Sequence, residues 1–376
     1  MKVQKNPFHL KGYQGPGLFC DRNTERALLV ENINNDINTT LFSVRRMGKT
    51  GLIHHVFYYL IKEKSRECIY IDIYATQSLP EFTNQLASAI MRAFPQSISI
   101  GKKFINLIKG LNPTISYDAL TGAPEISFSF SQPKQYEYSL RELFTFLDKQ
   151  KKPVVIAIDE FQQIANYPER NTEALLRTII QKLNNVSFIF SGSQRHLLLE
   201  MFNSAKRPFF SSTNPLYLAT IPPKEYAKFI KKLFAKGGRT IDDDSIDFIL
   251  DWTCSHTYYT QSLCNKIYSQ NTGKIIRENV YVACDSILME QENIFFQYRN
   301  LLTSAQWKLL KAIAIEGKVR QPTGSKFIGQ HSLGNPASVK RSLEALVSKE
   351  MVFQEMEEIG SYYRVYDCFL MRWLER

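Results

Sequence analysis

A continuous run of apolar residues from Pro153 to Ile158 restricts the fold more than any other feature of this sequence. A strand that is apolar on both faces has to be buried on both faces. Ser187 to Phe190 is a second strand-like run, and Glu67 to Tyr74 is a third, rich in β-branched and aromatic residues. Because segments with helical spacing separate these runs, we expect an α/β fold, in which helices cover both sides of a parallel sheet.

Further helices, one more strand and a hairpin are predicted within the first 220 residues. Apolar periodicity predicts a strand at Thr39 to Val44 and helices at Thr24 to about Ile37, Gly48 to Lys62, Leu79 to Phe94, Leu140 to Lys149 and about Thr172 to Leu183. Residues 101–139 interrupt this order, because Thr114 to Tyr117 and Ile126 to Phe130 alternate apolar with polar residues around Thr121-Gly122. This alternation predicts a β-hairpin inserted into the α/β core.

The second part of the chain is predicted to be mainly helical, with no strands between about residue 220 and residue 300. Lys224 to Lys236, Asp242 to Thr253 and Tyr258 to Gln270 have the spacing of three helices of a small all-α domain. From Thr303 onward, helices at 304–315 and 337–349 precede two β-like runs, which is the order of a winged helix-turn-helix. We therefore expect a core at 1–220, a helical lid at 221–300 and a winged helix at 301–376.

The loop from Ser43 to Thr50 lies directly after a predicted strand and opens a predicted helix. A bound triphosphate needs inward amides, a cation at the β and γ oxygens, and a hydroxyl for magnesium, which Gly48, Lys49 and Thr50 would supply. The GxxxxGK[ST] pattern begins with glycine, whereas this loop begins with Ser43, which requires a slightly altered turn. The candidate phosphate-binding residues are Ser43, Arg45, Arg46, Met47, Gly48, Lys49, Thr50 and Gly51.

Two adjacent carboxylates, Asp159 and Glu160, end the apolar run about a hundred residues further on. Ligands of parallel α/β sheets bind at the carboxyl ends of the strands, so both acids would lie at the nucleotide. We expect Asp159, with the hydroxyl of Thr50, to hold hydrated magnesium, and Glu160 to act as the general base on the attacking water. The alternative is an ordinary acidic turn at the end of a strand.

Polar and basic residues follow the third strand-like run. Ser193 or Ser191 would orient the attacking water, and a glycine turn with capping serines explains the same residues equally well. Either Arg195 or Arg207 would stabilise charge on a γ-phosphate, unless surface ion pairs explain both. His256, at the start of a lid helix, is assigned to packing rather than to nucleotide sensing. The predicted catalytic residues are Lys49, Glu160, Ser193 and Arg207.

Composition excludes some classes of protein and leaves others open. The formal charge of +11 suits any anionic partner, but no block of five or six basic residues occurs, so a solvated basic surface explains it equally well. The six cysteines form no CxxC pair, which argues for reduced thiols and against zinc. No run of about 18 apolar residues predicts a membrane span, and the first residues do not form a signal peptide, so we expect a cytoplasmic protein.

Together these motifs resemble the archaeal-type prokaryotic ATPases of the AAA+/STAND lineage. The matching residues are Asn6-Pro7-Phe8, Phe19-Cys20-Asp21-Arg22 with Glu25, Arg45 to Thr50, Ile158-Asp159-Glu160-Phe161, Phe190 to Ser193, Arg207-Pro208-Phe209, His256 to Gln261 and Tyr363 to Asp367. The resemblance implies an ATPase core, a helical lid and a C-terminal winged helix. It also implies that Phe19 to Arg22 lies against the adenine, which adds Arg22 to the candidate nucleotide contacts.

The leading hypothesis is an ATPase that uses ATP and Mg²⁺ as a switch on partner binding or self-assembly, with ADP as the product state. The alternative is an ATP-regulated DNA-binding protein that uses Lys340 and Arg341 on the second helix of the winged helix. Glu355, Glu357 and Glu358 in the predicted wing would repel phosphates and favour a protein-docking role. A third hypothesis is a scaffold that binds nucleotide without hydrolysing it.

Overall fold

The computed structural model describes residues 5–95, 98–357 and 360–376, without the side chains of residues 356 and 357. The chain divides into two compact units. One unit consists of residues 11–219, and the other combines residues 5–10 with residues 220–376. Among the described helices, none has both the length and the apolar character needed to cross a bilayer.

A five-stranded parallel sheet forms the centre of the 11–219 unit. Its strands, in the spatial order β2-β5-β6-β1-β7, are β1 (Thr39–Phe42), β2 (Glu67–Asp72), β5 (Val154–Asp159), β6 (Val186–Ser191) and β7 (Asn214–Tyr217). The predicted parallel sheet is therefore confirmed, and β7 is a strand that the sequence analysis did not identify. Every residue of β5 is buried, as its continuous apolar sequence requires.

Seven α-helices belong to the described part of this unit, and they cover both faces of the sheet. They are α1 (Asn23–Asn34), α2 (Lys49–Lys62), α3 (Leu79–Ala93), α4 (Ser99–Lys109), α5 (Pro133–Asp148), α6 (Thr172–Ile180) and α7 (Arg195–Asn203). Ile156 and Ile158 of β5 pack in the core that includes α3, α5 and α6. Val155 and Ala157 point the opposite way, into the core that includes α1 and α2.

The predicted hairpin is present as β3 (Pro113–Tyr117) and β4 (Pro124–Phe128), paired antiparallel with Ile115 opposite Ile126. The helix α4 that precedes the hairpin was not predicted. Gly101 obscured its helical pattern, although a glycine is needed there because a Cβ would lie 2.1 Å from the carbonyl oxygen of Pro95. Helix α5 also begins earlier than expected, at Pro133, because proline is favoured in the first turn of a helix.

The unit formed by residues 5–10 and 220–376 opens with four helices. They are α8 (Pro223–Lys236), α9 (Asp243–Trp252), α10 (Thr257–Gln270) and α11 (Arg277–Asn300), with two short parallel strands, β8 (Thr240–Ile241) and β9 (Lys274–Ile275). The expectations of only three helices and of no strands here were wrong. The pair β8–β9 has two residues per strand, which is too short for a periodic signal.

The first described residues of the chain pack against this helical unit. Phe8 lies 4.7 Å from Phe234 between ring centroids. Asn6 donates to the carbonyl of Asn265 at 3.0 Å, and Asn265 donates back to the carbonyl of Phe8 at 2.6 Å. The sequence analysis had placed these residues in the core domain instead, because their partners lie more than two hundred positions away.

The C-terminal residues form three helices, a hairpin and a closing helix. These are α12 (Ser304–Glu316), α13 (Ser325–His331), α14 (Pro336–Ser348), β10 (Val352–Glu357), β11 (Gly360–Val365) and α15 (Cys368–Leu374). Asn335 caps α14 by accepting from the amide of Ser338 at 2.9 Å. The short helices α13 and α15 were not predicted. Of the acidic residues expected in the wing, Glu355 and Glu357 lie in β10 and Glu358 lies outside the described residues.

Candidate functional site

The loop between β1 and α2 turns through two left-handed residues. Arg46 has a φ of 61°, and Gly48 has a φ of 97° directly before α2 begins at Lys49. Glycine adopts this region without steric cost, and left-handed residues in a turn help amides to converge on an anion. The start of α2 adds the partial positive charge of a helix N-terminus.

Lys49 is buried, with 7% of its surface exposed, although its side chain is an ammonium. Its Nζ donates to Oγ of Ser43 at 3.0 Å, to the carbonyl of Ser43 at 3.4 Å and to the carbonyl of Val44 at 3.3 Å. Burial lowers the pKa of Lys49 to about 8, although Asp159 and Glu160 act in the opposite direction. In the described chain no carboxylate lies within ion-pair distance of this ammonium, so its charge would be stabilised by an anionic ligand.

Ser43 replaces the first glycine of the usual phosphate-loop pattern. Its backbone is not left-handed, so the conformational freedom of glycine is not needed at this position. Its hydroxyl donates to the carbonyl of Val44 at 2.8 Å and accepts from Lys49. The serine therefore helps to hold the lysine, which gives a physical reason for this departure from the pattern.

The loop and the distant acids meet through a hydrogen bond. Thr50 Oγ1 donates to Asp159 Oδ2 at 2.8 Å. The same oxygen accepts from the hydroxyl of Tyr70 at 2.8 Å, and Asp159 Oδ1 accepts from the hydroxyl of Ser191 at 2.6 Å. A carboxylate that is only 5% exposed needs such partners, and these hydroxyls fix its orientation.

Glu160 is held by residues that follow β5 and β6. Its Oε2 accepts from the hydroxyl of Ser193 at 2.8 Å, from the amide of Ser193 at 3.2 Å and from Gln162 at 2.6 Å. Glu160 has a φ of 58°, a left-handed conformation that is uncommon for glutamate and concentrates at functional sites. Gly192 leaves room for the amide that donates to Glu160, because a Cβ at this position would lie 1.9 Å from Oε1 of Gln162 and would displace that side chain.

Ser191 and Ser193 were open alternatives in the sequence, and the structure gives each a different partner. Ser191 bonds to Asp159 and Ser193 bonds to Glu160. The assignment of Ser193 to the catalytic set stays a prediction, and its contact with Glu160 gives it a position from which a water on that carboxylate could be oriented.

The lead-in residues lie against the phosphate loop. The guanidinium of Arg22 pairs with Glu25 at 2.8 Å and donates to the carbonyls of Ala219 at 2.6 Å and Met47 at 3.4 Å. Arg22 therefore supports the backbone of the loop, and its direct contact with nucleotide stays a prediction. Phe19 stacks on His55 of α2 at 4.1 Å between ring centroids.

The two arginines proposed for the γ-phosphate have other contacts in the structure. Arg207 pairs with Glu173 and, at 3.4 Å, with Glu200. The guanidinium of Arg195 lies 5.7 Å from the ring centroid of Tyr217. A catalytic role for Arg207 stays a prediction, which would require these ion pairs to be exchanged for a phosphate.

Tyr70 is a site residue that the sequence analysis missed. It lies on β2, whose residue Asp72 is directly opposite Asp159 of β5 in the sheet. Burial, followed by the neighbouring Asp159, raises the pKa of the Tyr70 hydroxyl, so this group remains a hydrogen-bond donor. Tyr70 reaches Asp159 only because β2 lies next to β5 in the sheet. No pattern of neighbouring residues in the sequence indicates this order of strands.

The residues at this site suit a magnesium-bound triphosphate. The described residues include no cluster of three or more His, Cys, Asp or Glu side chains that could hold a metal alone. Mg²⁺ usually takes one or two carboxylates and completes its shell with water and phosphate oxygens. The Thr50 hydroxyl beside Asp159 provides such hard oxygen ligands, and the buried ammonium of Lys49 provides the cation for the phosphates.

One family model matches the C-terminal residues. It describes a probable winged helix domain and covers residues 293–376, from the last part of α11 to the end of the chain. No curated protein has a significant sequence match to this chain.

Solved structures of archaeal proteins are similar over nearly the whole chain. The Walker-type ATPase of Pyrococcus abyssi is 17% identical with a TM-score of 0.68, covering 98% of this chain and 100% of its own. The ORC2 protein of Aeropyrum pernix with ADPNP and ADP is 13% identical with a TM-score of 0.60, covering 99% and 97%. The ORC1 protein of the same organism, in complex with DNA, is 15% identical with a TM-score of 0.51, covering 96% and 93%.

At these identities the similarity concerns the fold. The predicted fold class, a P-loop NTPase core with a parallel sheet followed by a helical region and a winged helix, is confirmed.

We predict that Lys49→Met stabilises the nucleotide-free protein at pH 7. Burial holds the pKa of Lys49 at about 8, below its usual value of 10.5, so keeping it charged in the folded state opposes folding. The expected gain in the free energy of unfolding is roughly 1–3 kcal/mol, measured by urea denaturation without nucleotide.

The pH dependence of this gain provides the control. Between about pH 8 and 10.5 the unfolded wild type binds more protons than the folded state, so wild-type stability rises relative to the variant and the gain declines. A variant that is less stable than the wild type at pH 7, or a gain that is constant with pH, would contradict the assignment.

Proposed function

We propose that this protein binds ATP with Mg²⁺ and hydrolyses it, and that the state of the γ-phosphate controls self-assembly or the binding of a protein partner. The observation that carries the proposal is the 2.8 Å hydrogen bond from Thr50 to Asp159, made next to the buried ammonium of Lys49. It joins a phosphate-loop sequence to a strand-end carboxylate across the sheet. The similarity to the P. abyssi Walker-type ATPase and to ORC2 with ADPNP and ADP supports a nucleotide ligand.

Phosphate binding would use the ammonium of Lys49, which burial has already removed from water. Lys49 now donates to two loop carbonyls and to Ser43, and a polyphosphate would give the same ammonium an anionic partner. Thr50 and Asp159 would hold the metal, which when bound neutralises charge on the phosphate oxygens. Arg45, Arg46, Met47, Gly48 and Gly51 complete the proposed cradle around the phosphates.

Glu160 is the proposed general base for hydrolysis. One of its oxygens is already held by Ser193 and Gln162, which orients the carboxylate and leaves the second oxygen to accept a proton from water. The adjacent Asp159 is occupied by three hydroxyl donors, so the two neighbouring acids have separate tasks. One acid positions the metal, and the other activates the nucleophile.

A second candidate function is DNA binding through the winged helix. Lys340 and Arg341 are exposed on α14, and the similar ORC1 structure contains DNA. However, Glu344 is exposed on the same helix and Glu355 lies in β10, which weakens the attraction for phosphates. We therefore favour the nucleotide switch, whose placement within the STAND lineage rests on the sequence resemblance.

The variant Glu160→Gln should retain ATP affinity and lose turnover. Removal of a general base typically lowers kcat on the order of 100-fold or more, whereas the amide can still accept from Ser193. The measurements are steady-state ATPase activity and the Kd for ATP by calorimetry. Glu63→Gln, which changes an exposed glutamate at the end of α2, is the matched control. Equal hydrolysis by the wild type and Glu160→Gln would disprove the role.

The variant Tyr70→Phe should raise the Mg²⁺ concentration that gives half-maximal ATPase activity. Groups that orient a metal ligand typically contribute about 10-fold or more to metal affinity, so we expect a shift of about 10-fold, with kcat at saturating Mg²⁺ nearly unchanged. Tyr74→Phe serves as the control, because Tyr74 is 69% exposed. An unchanged Mg²⁺ requirement in Tyr70→Phe would show that the hydroxyl of Tyr70 does not orient Asp159 for metal binding.

Nucleotide-dependent assembly can be measured by light scattering. We expect the mass of the full chain in a non-hydrolysable ATP analogue to differ from its mass in ADP, because the γ-phosphate is the group that distinguishes the two states. Lys49→Met should show the same mass in both nucleotides. If the wild-type mass is also identical in both, self-assembly is excluded as the output of the switch.

A further inference from the structure

Helix α8 carries a lysine at every fourth position. Lys224, Lys228, Lys232 and Lys236 are all exposed, and Lys231 lies beside the third of them. Residues four apart are neighbours on a helix surface, so the four side chains form a row, which winds around the helix by about 40° per step. We call Lys224, Lys228, Lys232 and Lys236 the lysine row.

The row begins opposite the apolar face of α8 and ends beside it. The buried residues of this helix are Tyr226, Phe229, Ile230, Leu233 and Phe234. At a rise of 1.5 Å per residue, the lysine row extends over about 18 Å with a spacing of about 6 Å. The helix is therefore fixed to its domain by its apolar face and presents the ammonium groups outside that face.

This arrangement opposes the stability of the helix, because like charges four residues apart repel. Two ion pairs with acidic neighbours reduce this repulsion: Lys228 pairs with Glu225 at 2.7 Å, and Lys231 pairs with Asp243 at 2.8 Å. These pairs are exposed and contribute little.

A further lysine, Lys5, lies near enough to the end of α8 to act on the same group as Lys236. His9 belongs to the N-terminal segment that packs against this unit. Burial first, and then the charges of Lys5 and Lys236, lower the pKa of His9. Lys5 and Lys236 therefore act on the same point of the surface, and Lys5 extends the basic character of the row.

We infer that the lysine row binds the phosphate backbone of double-stranded nucleic acid without regard to base sequence. About 18 Å of duplex carries roughly ten phosphates, so a row of this length can neutralise several of them at once. Lysines act as point charges on phosphates and do not need the planar geometry that base recognition by arginine uses.

Two other anionic partners fit α8 less well. A helix that inserts into an anionic membrane surface needs exposed apolar residues, whereas the large apolar residues of α8 are buried. A protein interface usually has aromatic or arginine anchors at its centre, and the exposed residues of α8 are lysines with Pro223, Glu225 and Ala235.

The test uses the full chain and a fluorescein-labelled 30-base-pair duplex of mixed sequence, with binding followed by anisotropy between 50 and 200 mM salt. The row variant replaces Lys224, Lys228, Lys232 and Lys236 with glutamine. The control variant replaces four exposed lysines outside α8, namely Lys62, Lys64, Lys102 and Lys103, with glutamine and has the same net charge. Glutamine has a helix propensity close to that of lysine, so both variants should fold.

We expect the row variant to lose duplex affinity about 100-fold at low salt, and the slope of log Kobs against log salt to fall by about 2 to 3. The control variant should stay within about threefold of the wild type, and ATPase activity should be unchanged in both, because neither set belongs to the nucleotide site.

Several outcomes would overturn the inference. These are a wild-type protein that does not bind duplex at 50 mM salt, a row variant that binds as the wild type does, and equal losses in the row and control variants. Loss of binding only in Lys340→Gln/Arg341→Gln would assign the duplex to α14 instead. If the row substitutions abolish binding to phosphatidylserine vesicles or to polyglutamate but not to duplex, the ligand is a membrane or an acidic protein.

Discussion

The hydrogen bond between Thr50 and Asp159 is the contact on which the organisation of the candidate site depends. Thr50 lies in the first turn of α2, which follows β1, whereas Asp159 ends β5, and β6 separates these two strands in the sheet. Ser191 at the end of β6 bridges the gap by donating to the other oxygen of Asp159. The carboxylate at the end of β5 therefore contacts the end of β6 and the first turn of the helix that follows β1, and a change in strand order would separate the loop before α2 from this acid.

The buried charged residues at the site lower the stability of the folded protein. Lys49 and Asp159 are both buried but make no direct ion pair, and Asp72 lies opposite Asp159 on the neighbouring strand, where burial is the main cause that raises its pKa. Burying charges without pairing them opposes folding. A ligand that carries both signs of charge would complete such an arrangement, and the polyphosphate and divalent cation of the proposed function carry both.

Much of the fold could be predicted because its strongest signals are local. The apolar run of β5 and the strand-loop-helix order around Lys49 each depend on neighbouring residues, and both are present in the structure. What could not be predicted depends on distant contacts. Tyr70 reaches Asp159 only because β2 lies next to β5, and Phe8 packs on Phe234 from the opposite end of the sequence. Gly101 shows a third limit, because an interior glycine that weakens a helical pattern is required by a close backbone contact.

The positions of the basic residues, rather than the net charge, decide whether the basic excess indicates a binding surface. A formal charge of +11 spread over 376 residues describes a solvated surface as well as it describes a binding site. On α14, Lys340 and Arg341 share the exposed surface with Glu344, so the field there is mixed. On α8, four lysines follow one another along a row, and one of them pairs with Glu225. An equal mixture of charges suits a protein contact whose register depends on pairing, whereas a row that is mainly of one sign suits a polyanion, so the two helices of this unit differ in the balance of their charges.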